Sequence, residues 1–265
     1  MRRNPHFLYG GDNMIDTHSH LFEDEFKIDI DDCINRCKDN NVNKILLVGF
    51  SHETNEKAQE LAKKYDIFYP TAGLHPSEAT PNYKDDFDKL VEFINNNKIY
   101  AIGECGLDYH WTKENVLEQH ELFKLQCDLA IKLDLPIIVH SRDAQKDTFD
   151  IIKSYGGKLK GVMHCYSGSA ELAKEYIKLG FYISLGGPVT FKNAKEPKEV
   201  ATIVPEDRLL IETDSPYLAP TPFRGTRNES SYVKYVLEEI AKLRNIDAEK
   251  LDEITTKNAQ NLFKI

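Results

Sequence analysis

The sequence predicts an α/β protein of a single domain, a (β/α)8 TIM barrel with additional helices at the C-terminus. Eight short, apolar, β-branched runs alternate with amphipathic segments, and no series of hairpins interrupts them, which implies parallel strands. The chain has 265 residues, and a barrel of this kind usually needs about 250. An open, doubly wound sheet is the alternative, but it usually has a glycine-rich phosphate loop after its first strand, and this chain has none.

The predicted strands are short and rich in β-branched and aromatic side chains. They cover residues 14–20, 44–50, 67–75, 100–107, 136–141, 162–166, 182–187 and 209–214. The clearest helical periodicities lie at 85–95 and 114–133, and helices at 232–243 and 248–263 end the chain. Asp247 stands directly before the last helix and has the side chain of an N-cap.

Residues 1–13 are predicted to form a polar extension, separate from the hydrolase barrel at 14–265. The extension lacks the apolar stretch and the small-residue cleavage site of a signal peptide. No apolar run elsewhere approaches the length of a membrane span, so we expect no membrane association. The five cysteines are odd in number and match no disulfide framework, which predicts reduced thiols in a cytoplasmic protein.

The net charge of −9 bears on the class of partner. It argues against a protein that wraps duplex nucleic acid, because such binding needs many Lys and Arg contacts to phosphates. It leaves open an enzyme that grips one end of a strand, where bound metal cations supply positive charge locally. The sequence gives no sign of a stable protein partner.

Histidine and carboxylate side chains collect at the ends of the predicted strands. Parallel strands of a barrel end on one face, so these groups can converge there. His18 and His20 are two residues apart on a strand, and their side chains therefore point the same way. A lone strand histidine is more often a packed core residue, but five of the nine histidines of this chain fall at strand ends. The group comprises His18, His20, His75, Glu104, His140, His164 and Asp214.

Imidazole nitrogens and carboxylate oxygens are suitable ligands for divalent metals. The group is larger than one tetrahedral ion needs, so we expect two divalent ions that share a carboxylate. Glu104 is the best bridging residue, and His75 is the weakest ligand because it can equally contact substrate. Histidine ligands favour Zn²⁺ or Mn²⁺ over Mg²⁺ by affinity.

Other side chains near the same face can contact a substrate. Arg142, Arg224 and Arg227 could each hold a phosphate with two hydrogen bonds, or could equally be solvated loop charges. Trp111, the only tryptophan, could stack on a base. Cys165 is expected to point to the opposite side of its strand and to pack there.

Six segments of the chain resemble the TatD family of metal-dependent deoxyribonucleases, within the amidohydrolase-like superfamily. They are 15–20 (IDTHSH), 73–76 (GLHP), 102–109 (IGECGLDY), 139–142 (VHSR), 164–168 (HCYSG) and 212–217 (ETDSPY). The resemblance implies that Glu104, rather than a carbamylated lysine, bridges the ions. It also implies that His75 and Asp108 contact the substrate or support a ligand. The metal ligands that it implies are His18, His20, Glu104, His140, His164 and Asp214.

The resemblance implies hydrolysis of DNA, with 3′→5′ exonuclease action on single strands. We expect Glu104 and Asp214 to be catalytic, with Asp214 accepting the proton of the attacking water. His75, Asp108, Arg142 and Arg224 are the predicted substrate contacts. Two alternatives stay open at this point. One is a metal-dependent deacylase or amidohydrolase acting on an ester or amide, such as aminoacyl-tRNA, and the other is a non-catalytic metal-binding partner protein.

Overall fold

Eight parallel strands form the centre of the molecule. A computed structural model describes residues 14–111 and 113–265, and the predicted extension at 1–13 lies outside the described residues. Within this range the strands follow one another in chain order, with a helical segment between each strand and the next. They are β1 (Met14–Ser19), β2 (Val42–Val48), β3 (Phe68–Thr71), β4 (Ile102–Asp108), β5 (Ile137–Arg142), β6 (Gly161–Met163), β7 (Tyr182–Leu185) and β8 (Leu209–Ile211).

The strands pair in sequence order in two parallel sheets, β1-β2-β3 and β4-β5-β6-β7-β8. Single parallel bridges, Ser19 with Ser215 and Ala72 with Ile102, join the sheets at both edges. The amide of Asp214 also donates to the carbonyl of His18 at 2.9 Å. These contacts bring the eight strands into the ring of a TIM barrel, which confirms the predicted fold class.

Helices surround the ring. They are α1 (Ile30–Asp39), α2 (His52–Lys64), α3 (Tyr83–Asn96), α4 (Val116–Leu133), α5 (Gln145–Ser154), α6 (Ala170–Lys178), α7 (Lys195–Ile203), α8 (Val233–Arg244) and α9 (Ala248–Phe263). The side chain of Asp247 accepts hydrogen bonds from the amides of Glu249 and Lys250, which confirms it as the N-cap of α9. None of the described helices has the length and apolar character needed to cross a membrane.

The core has an inner and an outer part because both faces of the strands are buried. In β2, Ile45 and Leu47 belong to the outer core under the helices, while Leu46 and Val48 belong to the inner one. This double burial explains why β2 ends in the continuous apolar run at 45–48 instead of an alternating pattern. All five cysteines are free thiols, as predicted.

Helix α9 decides which end of the barrel is available for a site. Its residues Ala259, Leu262 and Phe263 belong to the inner core and pack under the strands, and α9 contacts both β1 and β8. The N-terminal end of the ring is therefore filled by apolar side chains. The opposite end, where the strands finish, is left open.

Several strands are shorter than predicted. β3 ends at Thr71, β6 at Met163 and β8 at Ile211, so His75, His164 and Asp214 lie in the segments that follow. The backbone leaves the extended conformation in two of these segments: Cys165 has φ 42° and Asp214 has φ 59°. Such left-handed positions cannot continue a strand. The apolar pattern of the sequence does not reveal these turns.

Candidate metal centre and active site

A cavity of about 700 Å³ opens at the C-terminal end of the strands. Every side chain of the predicted group either lines it or lies directly beneath it. The side chains of His20, His75, Glu104, His140, His164 and Asp214 line the cavity, and His18 is fully buried under it. The structure thus brings together residues from six different strands or the loops that follow them, as the barrel geometry predicts.

One group of ligand atoms lies on the β1 side of the cavity. The Nε2 atoms of His18 and His20 are 3.2 Å apart, so the two side chains do point the same way. Asp214 Oδ1 lies 3.7 Å from Nε2 of His18 and 3.5 Å from Nε2 of His20. These three residues offer ligand atoms within 4.8 Å of one another, a spacing that one divalent cation could occupy.

Glu104 lies between this group and a second one. Its Oε2 is 3.4 Å from His18 Nε2 and 3.8 Å from His20 Nε2. Its Oε1 is 3.0 Å from both His140 Nδ1 and His164 Nε2. The carboxylate therefore presents one oxygen to each side of the cavity, as a ligand shared by two cations would.

In three of the histidines the ring nitrogen that faces away from the cavity has a fixed partner, whereas Nδ1 of the buried His18 has none among the described residues. His20 Nδ1 donates to the carbonyl oxygen of Val48 at 2.7 Å. His140 Nε2 donates to Asp108 Oδ2 at 2.9 Å, and His164 Nδ1 donates to a Glu212 oxygen at 3.2 Å. Each bond places the proton on the outer nitrogen and directs the lone pair of the inner nitrogen into the cavity.

The donor set fits divalent cations. Without a cation, Nδ1 of His140 and Nε2 of His164 must each carry a proton to face a Glu104 oxygen at 3.0 Å, and a divalent cation between them would take the place of those protons. The neighbouring groups keep the carboxylate ionised. Burial acts to raise the pKa of Glu104, but nearby His164 and hydrogen bonds from His140, His164 and His18 lower it well below its usual value. Burial also acts to raise the pKa of Asp214, but the hydrogen bond from His20 and the charge of His164 outweigh it, so this pKa is lowered as well.

His75 differs from the other histidines of the cavity. Its Nε2 is 3.9 Å from Glu104 Oε1, the longest of the contacts to that carboxylate. Its Nδ1 accepts a hydrogen bond from the amide of Ser77 at 3.1 Å, so the proton of the neutral ring is on Nε2, which faces the cavity. Burial lowers the pKa of His75 to about 4. His75 thus offers a hydrogen-bond donor, whereas a metal ligand offers a lone pair.

Glycines hold the strand of Glu104 against its neighbour. Gly103 and Gly106 have φ values of 138° and 141°, which favour glycine. A Cβ on Gly106 would lie 2.0 Å from the carbonyl oxygen of His140, and one on Gly103 would lie 2.7 Å from that of Ile138. The GECG segment thus lets β4 approach β5 closely enough for Glu104 to reach His140.

Three supporting residues were given no role by the sequence analysis. Asp16 accepts hydrogen bonds from the amide and the hydroxyl of Thr213, at 2.9 and 2.6 Å. Asn228 donates to the carbonyl oxygens of Thr213 and Tyr217, and Glu212 holds His164. Asp16 and Glu212 each lie two residues before a predicted ligand, within the family-like segments 15–20 and 212–217. This spacing is the sequence signal that could have identified both as supporting residues.

The structure places only some of the predicted substrate contacts at the cavity. Arg142 lines the cavity, and its guanidinium lies 5.4 Å from the centre of the Trp111 ring. Asp108 is buried behind His140, which fits the supporting role and not substrate contact. Arg224 lies 4.1 Å over the Phe191 ring and, in the described part of the chain, does not line the cavity.

The sequence leaves Arg227 open between a phosphate contact and a solvated loop charge. In the structure both its terminal nitrogens donate to Asp29 at 2.7 Å, so its charge is used in a structural ion pair. Cys165 was expected to point away from the cavity, but it lines it. The left-handed backbone at Cys165 turns this side chain relative to an extended strand, in which it would alternate with His164.

Comparisons with known proteins give the family of the chain. The family model for TatD related DNase matches residues 15–264. A Bacillus subtilis (strain 168) protein named "uncharacterized metal-dependent hydrolase YabD" is 48% identical over 253 residues, 95% of this chain and 99% of that protein. The "3'-5' ssDNA/RNA exonuclease TatD" of Shigella flexneri is 33% identical and covers 95% of this chain and 99% of its own.

A solved structure gives the same fold. The crystal structure of YJJV, a TatD homologue from Escherichia coli K12, superposes with a TM-score of 0.89 at 28% identity. The match covers 95% of this chain and 98% of that chain. The shared barrel therefore spans nearly the whole length of both proteins.

Proposed function

The chain belongs to the family of TatD-related DNases and is a metal-dependent hydrolase, and we propose that it hydrolyses phosphodiester bonds at the 3′ end of single-stranded DNA. The observation that carries this proposal is the position of Glu104, with one carboxylate oxygen facing each of two groups of ligand atoms. The exonuclease name of the Shigella flexneri relative supports the choice of bond and strand.

The proposal assigns two divalent cations, Zn²⁺, Mn²⁺ or Mg²⁺, to the two sides of Glu104. His18, His20 and Asp214 would hold one with Glu104 Oε2, and His140 and His164 would hold the other with Glu104 Oε1. When bound, such ions supply Lewis-acid charge to a phosphate and make a water more acidic. Imidazole and carboxylate donors suit all three metals, with affinity favouring Zn²⁺ and Mn²⁺.

The side chains of the chain itself would position the substrate and move the proton. Asp214 is the proton acceptor for the attacking water, since its carboxylate is held ionised at the edge of the cavity. His75 donates from Nε2 to a phosphate oxygen, because Ser77 occupies its other nitrogen. Arg142 binds a phosphate oxygen beside the Trp111 ring. The presence of the whole donor set counts against a non-catalytic metal-binding role.

Replacing Glu104 by Gln tests the assignment. The amide cannot serve both sides as an anionic ligand, so we expect metal content to fall and hydrolysis of 5′-labelled single-stranded DNA to be lost. Metal analysis of the purified protein and a 3′-shortening ladder on a gel measure the two effects. The control is Glu121→Gln, which changes an exposed glutamate on α4.

The same assay separates the alternatives. Aminoacyl-tRNA and nitrophenyl esters belong in the panel beside DNA. If the wild-type protein cleaved these and left DNA intact, the deacylase hypothesis would replace the nuclease one. If Glu104→Gln kept both metal and activity, the site assignment itself would be wrong.

Replacing Asp214 by Asn tests the proton acceptor. Loss of a general base usually reduces the rate by about 10² to 10⁴, and we expect a fall of that size in kcat on DNA, measured alongside metal content. The control is Asp32→Asn, at an exposed position of α1. Unchanged turnover with metal still bound would remove Asp214 from the mechanism.

A further inference from the structure

Exposed apolar side chains gather at the mouth of the cavity. Trp111 is 74% exposed, Tyr217 51% and Leu218 43%, and all three line the cavity. Apolar surface left in water at the rim of a cavity usually marks a place where a ligand covers it. The rim is therefore suited to bind a flat or apolar part of a substrate, while the charged part of the substrate faces Glu104.

Positive charge is scarce at the same place. Among the residues that line the cavity in the described part of the chain, Arg142 is the only lysine or arginine. Its guanidinium lies beside the Trp111 ring, so the one cation and the most exposed aromatic side chain form a single contact surface. The two arginines of the loop after β8 have other contacts: Arg224 lies on Phe191, and Arg227 pairs with Asp29.

Acidic groups stand near the rim. Glu23 closely follows the cavity-lining His20, to whose carbonyl oxygen its amide donates at 2.9 Å. On the other side, Asp143 pairs with His110, the neighbour of Trp111, at 3.2 Å. A strand that left the cavity past either side would meet these carboxylates, and its phosphates would be repelled.

Proteins that bind a long single strand use a different surface. They follow the backbone with a positively charged groove and stack successive bases along about 4–16 nucleotides per binding fold. This cavity has the stacking side chain and one cation, but no row of cations leads away from it among its lining residues. Its volume of about 700 Å³ lies in the range of about 300–1,000 Å³ that holds a small molecule.

We infer that the cavity recognises only the last one or two units at the 3′ end of an oligonucleotide, so that a dinucleotide is as good a substrate as a long strand. A base stacks on Trp111 opposite Tyr217 and Leu218, and Arg142 binds one phosphate that is not cleaved. Further nucleotides add no contact, so a longer strand is not a better substrate. This inference rests on the proposed phosphodiester hydrolysis and narrows its substrate.

A length and salt series tests the inference. We expect kcat/KM per 3′ end to be nearly equal for a 5′-phosphorylated dinucleotide and a 20-nucleotide strand. For a single strand, affinity depends on salt with an exponent of about −0.7 per phosphate neutralised. With one or two phosphates, a change from 50 to 200 mM salt should reduce kcat/KM by less than about tenfold, whereas four would give about fiftyfold.

The conclusion depends on the ratio of the kcat/KM values for the two substrates, because incomplete metal loading lowers both values alike. A ratio near one at every salt concentration supports the inference. A 20-nucleotide strand that is far better at low salt, and loses its advantage steeply as salt rises, overturns the inference but keeps the proposed function. If neither substrate is cleaved, the proposed function is wrong and the inference is wrong with it.

Variants of Trp111 test the stacking contact. Stacking of a base on an aromatic side chain is worth a factor of about 5 to 150 by alanine substitution, so Trp111→Ala should lower kcat/KM on the dinucleotide by such a factor. Trp111→Phe should restore most of it, and Leu117→Ala, at an exposed apolar residue that does not line the cavity, should change nothing. A dinucleotide whose terminal unit lacks its base should not distinguish Trp111→Ala from wild type. Equal losses on both dinucleotides would overturn the stacking role.

Discussion

At the scale of single residues, the site depends on which ring nitrogen of a histidine has a hydrogen-bond partner on the side away from the cavity. His20, His140 and His164 each donate their outer N–H to a carbonyl or carboxylate oxygen. These contacts fix both the ring orientation and the position of the lone pair. His75 has the reverse arrangement, because the amide of Ser77 donates to its Nδ1. A histidine of this site is thus either a lone-pair ligand or a hydrogen-bond donor, depending on the residue that holds its ring. That residue is distant in the sequence for His20, His140 and His164, and only two residues away for His75.

Glu212 offers a test at this scale. Its Oε1 accepts hydrogen bonds from His164 Nδ1 and from the amide of Cys165, and the residue is almost fully buried. Loss of such a supporting group usually lowers metal affinity about 10- to 100-fold. We expect Glu212→Gln to weaken one of two metal-binding events by that factor, as measured by titration against a chelator. Glu206→Gln, at an exposed position, is the control, and an unchanged affinity in both variants would contradict the supporting role.

At the scale of elements, the strands and α9 have separate roles. The strands direct the polar residues at their C-terminal ends toward one cavity, and α9 fills the other end with Ala259, Leu262 and Phe263. Helix α9 was predicted at 248–263 from its periodicity, and the structure has it at Ala248–Phe263. Its docking under the barrel was not predicted, because periodicity reveals an apolar face but not the surface that this face covers.

Truncation of Phe263 tests the closing role of α9. The side chain is 2% exposed inside the inner core, and Phe→Ala changes in such cores cost about 3–5 kcal/mol. We expect the free energy of unfolding in urea to fall by that amount while the protein that stays folded keeps its metal affinity. The control is Ile131→Ala, at a more exposed position of α4. A loss below about 1 kcal/mol would show that α9 does not close the barrel.

At the scale of the whole molecule, a half-buried ion-pair cluster around the buried Glu229 connects the beginning of the barrel with its end. Arg36 of α1 donates to both carboxylate oxygens of Glu229, at 2.8 and 2.7 Å, and Arg227 pairs with Asp29. The hydrogen bond from Arg227 lowers the pKa of Asp29. Burial opposes a low pKa at Glu229, but the hydrogen bond from Arg36 outweighs it. The cluster anchors the loop that carries Asn228, and with it the segment of Asp214.

The sign of the pH effect follows from these shifts. A carboxyl group whose pKa is lower in the folded state stabilises the fold above its unfolded pKa and loses that contribution as pH falls through the folded value. Removing the partner of a buried charge costs about 3–5 kcal/mol. We therefore expect Arg36→Met to destabilise the protein by about that much at pH 7, and by clearly less near pH 4, where Glu229 of the variant can protonate.

Urea unfolding at the two pH values measures the difference between variant and wild type. Lys178→Met, which removes an exposed pair with Glu175, is the control and should change stability by about 1 kcal/mol or less at both. Contributions from the histidines of the cavity cancel in the difference. The same loss at pH 7 and pH 4 would contradict the role of the Arg36–Glu229 pair.

The sequence by itself determined the alternation of strands and helices, the (β/α)8 class, the family, and which seven histidines and carboxylates meet at one end of the barrel. It could do so because strand order and parallel direction bring all strand ends to one face, whatever the local details. The tertiary structure alone decided which oxygen of Glu104 faces which histidine, that Asp108 stands behind His140, that Cys165 enters the cavity, and that Arg227 is used in an ion pair. These outcomes depend on left-handed turns and on partners nearly two hundred residues apart, and no local pattern encodes a distance between such residues.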